Sequence, residues 1–206
     1  MTPTTILLVR HGRTATTGRV LPGRAPGLHL SARGRRQAER VGAEIAALEP
    51  RPLALYCSPL ERARETAGAI ARATGLRARV ERGLNECDFG EWTGASLARL
   101  RRRREWSLVQ HAPSVFRFPG GESFDEMRAR AWTTLERLAE RHPGETIVAV
   151  SHADPIKAVV THALGVPLDL FQRTEIGTCS VSVLVLGAGP ARVRALNVTT
   201  LAEVLE

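Results

Sequence analysis

The sequence has few aromatic residues and few cysteines. Phe, Trp and Tyr together make up 4% of the 206 residues, so Ala, Val and Leu must fill most of a hydrophobic core. The three cysteines, Cys57, Cys87 and Cys179, are far apart and form no Cys-x-x-Cys pair, which argues against a zinc site or a disulfide framework. No apolar run approaches the ~18 residues of a membrane-spanning helix. We therefore expect no membrane partner.

The sequence also lacks the features of a secretory signal peptide. Met1-Thr2-Pro3-Thr4 is not a basic region followed by a long apolar core, so we expect a cytoplasmic protein. Hydrophobic residues nevertheless reach 43%, enough for a sizeable core. The length is typical of one α/β unit, and we expect a single domain over residues 1–206.

Lysine is almost absent, although the chain is strongly basic. The formal net charge is +8 and Lys157 is the only lysine, a bias that we attribute to genomic base composition. The densest run, Arg99 to Arg104, could form a basic patch for nucleic acid or a phosphorylated ligand, but a solvated helix face is favoured. No aromatic residues are interleaved with it, which argues against stacking on single strands. We expect no nucleic-acid partner.

Apolar periodicity predicts the order βαβαβ, an insertion at about 85–122, and then αβαββ. Such an order favours a three-layer α/β/α sandwich whose sheet is mostly parallel with one antiparallel edge. The predicted strands are Thr5–Val9, Leu53–Cys57, Arg77–Val80, Thr146–Val150, Val181–Leu186 and Arg192–Val198. The predicted helices run from Ser31 to about Leu48, from Ser58-Pro59 onward, from about Ser96 to Trp106, from Ser123 to about Arg141, and from Asp154-Pro155 to about Leu164.

The most informative segment, Arg10-His11-Gly12, directly follows the first predicted strand. The carboxyl end of a strand in an open α/β sheet faces the ligand crevice. Arg10 offers a planar fork suited to phosphate, His11 is a nucleophile or base near neutral pH, and Gly12 permits close backbone approach to a ligand.

Three later segments accompany it: Ser58–Ala67, with Arg62; Leu84–Gly94, with Glu86; and Val148–His152, which ends a third apolar run with a second histidine. In this order the four segments resemble the histidine phosphatase superfamily, which has the phosphoglycerate-mutase-like fold. The resemblance covers nearly the whole chain. The motifs are specific jointly, although no single one is decisive.

The resemblance implies a metal-independent phosphomonoesterase without a cofactor, acting on a small phosphate ester. His11 would be the nucleophile that forms a phosphohistidine, Arg10 and Arg62 would hold the phosphoryl oxygens, and His152 would add a donor as the imidazolium. Glu86 would protonate the leaving oxygen and then activate water, which requires a raised pKa. Further phosphate-binding candidates are Thr14, Thr17 and Ala153.

Several of these positions have competitors nearby. Arg64 is as basic as Arg62, but helical spacing turns it away from the strand end. Asp88 and Glu91 compete with Glu86, which only the family pattern selects. We interpret Asp154 as the N-cap of the helix that Pro155 begins. Cys87 could line the crevice, although His11 explains the motifs better than a cysteine nucleophile does.

Three positions depart from the common family pattern. Thr17 replaces a frequent asparagine, Arg13 a common glutamate, and Ala153 a common glycine. These departures leave the substrate open rather than the chemistry. Residues of the insertion could shape the leaving-group pocket; the candidates are Phe89, Trp92, Arg99, Phe116 and Phe118.

Other functions remain open at this stage. A phosphoglycerate mutase, an α-ribazole-phosphate phosphatase or a sugar-phosphate phosphatase could use the same site, although mutases usually have longer insertions and a longer tail. A rival of another class is a catalytically idle phosphate-binding or scaffold protein, because fold does not fix function. A terminal hairpin could leave a free edge for a homodimer.

Overall fold

The computed structural model describes residues 2–201, so Met1 and residues 202–206 of the predicted domain lie outside it. Its six strands are β1 (Thr4–Arg10), β2 (Ala54–Cys57), β3 (Ala78–Val80), β4 (Thr146–Ser151), β5 (Val181–Leu186) and β6 (Arg192–Val198). They form one sheet in the order β3-β2-β4-β1-β5-β6. The pairs from β3 to β1 are parallel, and β5 is antiparallel to both its neighbours. This confirms the predicted sheet.

Helices cover both faces of the sheet. They are α1 (Ala32–Ala46), α2 (Glu61–Thr74), α3 (Leu97–Leu100), α4 (Trp106–His111), α5 (Phe124–Arg141) and α6 (Ala153–Ala163). Leu7 of β1 belongs to a buried cluster with residues of α1 and α2, whereas its neighbour Leu8 belongs to a cluster with residues of α5 and α6. Because successive side chains of a strand point to opposite faces, this alternation gives the three layers expected from the sequence.

The first residues of the helices can be compared with the N-cap residues predicted from the sequence. The hydroxyl of Ser31 accepts from the Gly34 amide, and Ser123 with Glu126 forms the predicted capping box. Two other starts differ from the prediction. Helix α2 begins at Glu61, after a turn through Ser58-Pro59. Helix α6 begins at Ala153 with His152 at the N-cap, so Asp154 is not the cap; proline is tolerated anywhere in a first turn, and here it stands third.

The segment 85–122 contains two short α-helices and two single-turn 3-10 helices, not the single predicted helix at Ser96 to Trp106. The turn that separates α3 from α4 carries most of the basic run, and all five arginines from Arg99 to Arg104 are exposed. These arginines are therefore solvated, as expected, but mostly on a turn rather than on a helix face.

The aromatic residues of this segment form a core of their own. Phe118 is 1% exposed, and its ring centroid lies 4.8–5.5 Å from those of Phe89, Trp92, Phe116 and Phe124. Edge-to-face contacts of this kind stabilise a core beyond the area that they bury. The prediction that the insertion's aromatic residues line the leaving-group pocket is therefore wrong for these side chains. The remaining candidate, Arg99, is exposed on α3.

The last two strands form the predicted hairpin, and β6 is an edge of the sheet. Pairing of two copies along this edge stays a prediction. No helix within residues 2–201 is both long and apolar enough to cross a membrane.

Candidate active site

Three neighbouring strands deliver polar side chains to one end of the sheet. β1 pairs with β4 so that Arg10 is opposite Ser151, and the next residues are His11 and His152. β2 lies on the other side of β4 and is followed by Ser58, whose amide donates to the Val150 carbonyl. Because all three strands are parallel, their carboxyl ends meet here. The two imidazole centroids are 5.1 Å apart.

Gly12 is required for close packing of the backbone, a role in addition to the expected approach to a ligand. A Cβ on Gly12 would lie 2.6 Å from the carbonyl oxygen of Gly34, and one on Gly34 would lie 2.0 Å from that of Arg13. The Gly12 amide donates to the Thr66 hydroxyl at 3.0 Å. The loop after β1 is thus held against the start of α1 and against α2, which fixes the direction of His11.

The imidazole of His11 is buried in a defined tautomer. Its Nδ1 lies 2.8 Å from the Gly12 carbonyl oxygen; since a carbonyl can only accept, Nδ1 carries the proton. The Nε of Arg62 donates to Nε2 of His11 at 3.3 Å. Burial, followed by the charges of Arg62 and Arg10, holds the pKa of His11 well below its ordinary value. The ring is therefore neutral, with a lone pair on Nε2.

Two guanidinium groups lie at the site, the fully buried Arg62 and the partly buried Arg10, and Glu86 is the acidic group with the largest effect on the pKa of both. Arg62 is 0% exposed and donates from Nη2 to the Gly23 carbonyl at 2.8 Å. Arg10 donates from Nη1 to the Ile176 carbonyl. Within residues 2–201 neither one forms an ion pair, and Nη1 of Arg62 and Nε of Arg10 have no hydrogen-bond partner. Burial lowers the pKa of both groups. Cations shielded from water without a direct partner are costly, a cost that a bound anion would offset.

Glu86 is the carboxyl group beside this cationic pocket. It is 7% exposed, and its Oε1 accepts from the Cys87 amide at 3.0 Å. Burial, followed by the negative charge of Asp154, raises the pKa of Glu86 to about 7 against the opposing effect of Arg62. A carboxyl group with this pKa can both give and take a proton near neutral pH.

A network of ion pairs fixes the backbone that carries Glu86. Arg24 and Arg130 both donate to the Glu86 carbonyl oxygen, at 2.9 Å and 3.4 Å. Glu122 bridges the two arginines with contacts of 2.7 Å and 2.9 Å, and the Arg24 guanidinium also pairs with Asp88 at 3.3 Å. The loop is thereby tied to α5 and to the loop before α1.

His152 is completely buried between Glu86 and Ser58. Its Nε2 lies 2.7 Å from the Ser58 hydroxyl, and its Nδ1 lies 3.9 Å from Oε2 of Glu86. Burial, followed by the charge of Arg62, lowers the pKa of His152 well below its ordinary value. These effects favour a neutral His152, and the imidazolium expected with a phosphoryl group bound stays a prediction.

The other phosphate-binding candidates lie around the same strand ends. The Thr17 hydroxyl accepts from the Thr14 amide and lies 2.9 Å from the Thr14 hydroxyl. Thr14 is buried, whereas Thr17 is partly exposed. Ala153 opens α6 directly after His152, and the first amides of a helix have no partner within the helix.

The competitors are separated clearly from the site residues. Arg64 and Glu91 are exposed, and Asp88 is engaged by Arg24. Cys87 does not line a crevice: it is 0% exposed, and burial raises the pKa of its thiol. A buried protonated thiol is a poor nucleophile.

Sequence reasoning missed two groups of residues. Ser58 and Asn85 belong to the quoted motifs, and a polar residue beside a predicted site residue is a usable signal. Arg24, Glu122 and Arg130 come from distant segments, and no local pattern links them. Among residues 2–201, no cluster of three or more His, Cys, Asp or Glu side chains is arranged to hold a metal ion.

The structure is thus an α/β protein with a cluster of two arginines, two histidines and a glutamate at the carboxyl ends of its central strands. The model of the histidine phosphatase superfamily (branch 1) matches residues 6–199, and the chain belongs to this family. This confirms the resemblance carried by the four motifs.

Two curated relatives are similar over almost the whole chain. The bifunctional protein Rv2228c of Mycobacterium tuberculosis is 36% identical over 96% of this chain, which spans only 55% of that protein's length. Phosphoserine phosphatase 1 of Hydrogenobacter thermophilus is 31% identical over 94% of this chain and 92% of its own.

Among solved structures, mycobacterial glucosyl-3-phosphoglycerate phosphatase superposes with a TM-score of 0.83 at 25% identity, covering 95% of this chain and 99% of that one. The similarity confirms the phosphoglycerate-mutase-like fold.

Proposed function

We propose that this protein is a phosphomonoesterase that hydrolyses a small phosphorylated metabolite through a phosphohistidine at His11, without a metal. One observation carries the proposal: the guanidinium groups of Arg62 and Arg10, neither of which forms an ion pair within residues 2–201, flank a neutral histidine whose Nε2 lone pair accepts from Arg62. Once a phosphoryl oxygen takes over this donor, the lone pair is free to attack. Arg10 and Arg62 supply the positive charge that a phosphoryl group requires.

In the first half-reaction, Nε2 of His11 attacks the phosphorus, and the bond from phosphorus to the ester oxygen breaks. The protonated Glu86 gives its proton to the leaving oxygen, so the alcohol departs uncharged. His152 hydrogen-bonds the phosphoryl oxygens after its Nδ1 has taken up a proton, which the incoming dianion favours.

In the second half-reaction, the Glu86 carboxylate removes a proton from water. The resulting hydroxide attacks phosphorus, the P–N bond breaks, and phosphate leaves. Glu86 is again protonated and His11 neutral, and His152 gives up the proton it gained on binding when phosphate leaves, so the cycle closes. The pKa of about 7 at Glu86 suits both halves of this exchange.

The comparisons support a small phosphate ester as the substrate. The names of two similar proteins specify a phosphoserine phosphatase and a glucosyl-3-phosphoglycerate phosphatase. Both named substrates are monoesters of small polar metabolites, which fits a site with buried arginines.

The test compares phosphate release by wild type, His11→Ala and His111→Ala in the presence of a chelator. His111 is exposed on α4 and serves as the matched control. We expect wild type and His111→Ala to be equally active on aryl and small-metabolite phosphates. The His11→Ala variant should lose at least about a thousandfold, as expected when a covalent nucleophile is removed.

A labelled substrate should also leave acid-labile phosphate on the wild type and none on His11→Ala. Activity that persists in His11→Ala would refute the mechanism. Transfer to 3-phosphoglycerate that outpaces phosphate release would identify a mutase, and absence of any turnover by wild type would favour the idle phosphate-binding protein.

Asp154 provides a test of how the proton donor is tuned. Its negative charge raises the pKa of Glu86, so Asp154→Asn should lower that pKa. Since the first half-reaction needs protonated Glu86, the alkaline limb of the kcat–pH profile should move to lower pH. Asp125→Asn removes an equal charge at the exposed start of α5 and should leave the profile in place. An unchanged limb in Asp154→Asn would contradict this tuning.

A further inference from the structure

Behind His152 lies a hydrogen-bonded chain of two polar residues that the mechanism has not used. Nε2 of His152 is 2.7 Å from the Ser58 hydroxyl, which in turn lies 3.3 Å from Oδ1 of Asn85. Both Ser58 and His152 are 0% exposed. The other ring nitrogen of His152, Nδ1, is buried and has no hydrogen-bond partner within residues 2–201.

The direction of the hydrogen bonds in this chain follows from Asn85, the residue at its far end. Oδ1 of Asn85 also accepts from the Glu86 amide at 3.0 Å, so the atom in that position is an oxygen and cannot donate. The single hydroxyl proton of Ser58 therefore goes to Asn85. The Ser58 oxygen also accepts from the Leu60 amide at 3.4 Å, which leaves one lone pair towards His152, and only Nε2–H of His152 can complete the 2.7 Å contact.

The opposite direction of hydrogen bonding, with Ser58 donating to His152, is energetically less favourable. If Ser58 donated to Nε2 of His152, its lone pairs would face the Asn85 oxygen at 3.3 Å, and a buried pair of acceptors without a proton between them is unfavourable. The chain thus holds the proton on Nε2 and leaves Nδ1 as the nitrogen that can titrate.

We propose that Ser58 and Asn85 are positioning residues that fix the tautomer of His152, so that Nδ1 faces the phosphoryl site and takes up a proton when a phosphate dianion binds. This inference rests on the proposed function for its kinetic consequences, whereas the tautomer itself does not depend on activity. Hydrogen-bond partners of this kind fix ring orientation and proton position for other functional histidines.

The same amide oxygen connects the two groups that handle protons in the proposed mechanism. Asn85 holds the Glu86 amide through Oδ1, and the Asn85 carbonyl accepts from Arg130 at 3.1 Å. The position of Asn85 is therefore set by the network that also fixes the Glu86 loop. A shift of this loop would alter the proton donor and the tautomer of His152 together.

The first measurement is the ring 15N spectrum of His152 in the intact protein, assigned by its disappearance in His152→Gln. Without ligand we expect a neutral ring with the proton on Nε2 and a bare Nδ1. Saturation with inorganic phosphate should protonate Nδ1 as well. A free protein with the proton on Nδ1 would overturn the proposal.

Two variants test the chain itself. Ser58→Ala should give a mixture of tautomers and lower kcat about tenfold to a hundredfold, the usual cost of losing such a partner, whereas Ser58→Thr keeps the hydroxyl and should restore the wild-type tautomer. In Asn85→Ala the Ser58 hydroxyl loses its acceptor and should turn to His152, which moves the ring proton to Nδ1. General loosening of the site would give a mixture of tautomers in both variants, whereas the hydrogen-bonded chain predicts a proton on Nδ1 in Asn85→Ala. The Asn85→Ala result can be read even if Ser58→Ala does not fold.

Ser182→Ala is the control, since Ser182 is a buried serine on β5 whose hydroxyl oxygen accepts from the Asn197 amide. It should change neither the tautomer nor kcat. An unaltered His152 spectrum in both Ser58→Ala and Asn85→Ala would overturn the proposal. If the wild type shows the expected tautomer and yet hydrolyses no phosphate ester, the proposed function fails and the positioning role stands.

Discussion

Replacing Arg62 by methionine is expected to lower kcat/KM for a phosphomonoester about a hundredfold to a thousandfold, the effect typical of losing one preorganised donor to the transition state. Arg62 is fully buried and contacts Nε2 of His11, and its Nη1 has no hydrogen-bond partner among residues 2–201. Methionine fills much of the space but supplies neither charge nor donors. Arg62→Lys should give an intermediate rate, because it keeps the charge and loses the planar fork.

Binding of inorganic phosphate provides the second readout for Arg62. A ligand that binds only the folded state stabilises it, by about 2.7 kcal/mol at a hundred times its Kd. We expect phosphate to raise the Tm of wild type and of Arg64→Met, whose arginine is exposed on the same helix. Arg62→Met should show little increase. An equal rise in Tm for both variants would show that Arg62 does not belong to the anion site.

The second large effect is expected for Glu86→Gln. General acid–base catalysis contributes about a hundredfold to ten-thousandfold, so kcat should fall by this amount. Glutamine is nearly isosteric but cannot give a proton to the leaving oxygen. The loss should be smaller for an aryl phosphate with a good leaving group than for an alkyl phosphate. A uniform loss across leaving groups would contradict the assignment of Glu86 as the acid.

Glu86→Gln should also change how stability depends on pH. The pKa of Glu86 is raised from 4.5 to about 7 in the folded protein, so between these values the folded state binds more protons than the unfolded state. The contribution of Glu86 to the free energy of unfolding therefore falls as pH rises through this window and stays unfavourable above pH 7. Glu86→Gln removes this pH-dependent contribution to the free energy of unfolding.

Denaturant melts of wild type, Glu86→Gln and Glu91→Gln at pH 5 and pH 8 measure the effect. Glu91 is exposed, so Glu91→Gln should follow wild type. We expect the difference in stability between Glu86→Gln and wild type to shift in favour of the variant at pH 8. A constant difference across the two pH values would mean that Glu86 is not desolvated in solution.

The fold was largely predictable because its signals are local. The apolar run of β1 and the capping box at Ser123 each lie within a few residues, and the predicted strands and two helix starts are found there in the structure. The predictions failed where tertiary packing overrode a local signal. At Asp154-Pro155 the helix starts earlier than the proline suggested, and in the segment 85–122 the aromatic residues pack together.

The site residues can likewise be divided into those that local sequence signals predict and those that depend on tertiary structure. The sequence alone placed His11 and His152 at strand ends and favoured Arg62 over Arg64, because strand ends and helical spacing can be derived from the order of residues. It could not separate Glu86 from Asp88 without the family pattern.

Only the tertiary structure decided the electrostatics of the site. The raised pKa of Glu86 and the lowered pKa values of His152, Arg10 and Arg62 all depend on burial and on charges contributed by distant segments. The same holds for the chain from His152 through Ser58 to Asn85. Desolvation and hydrogen-bond direction are properties of the assembled pocket, since each requires groups that only folding brings within a few ångströms of one another.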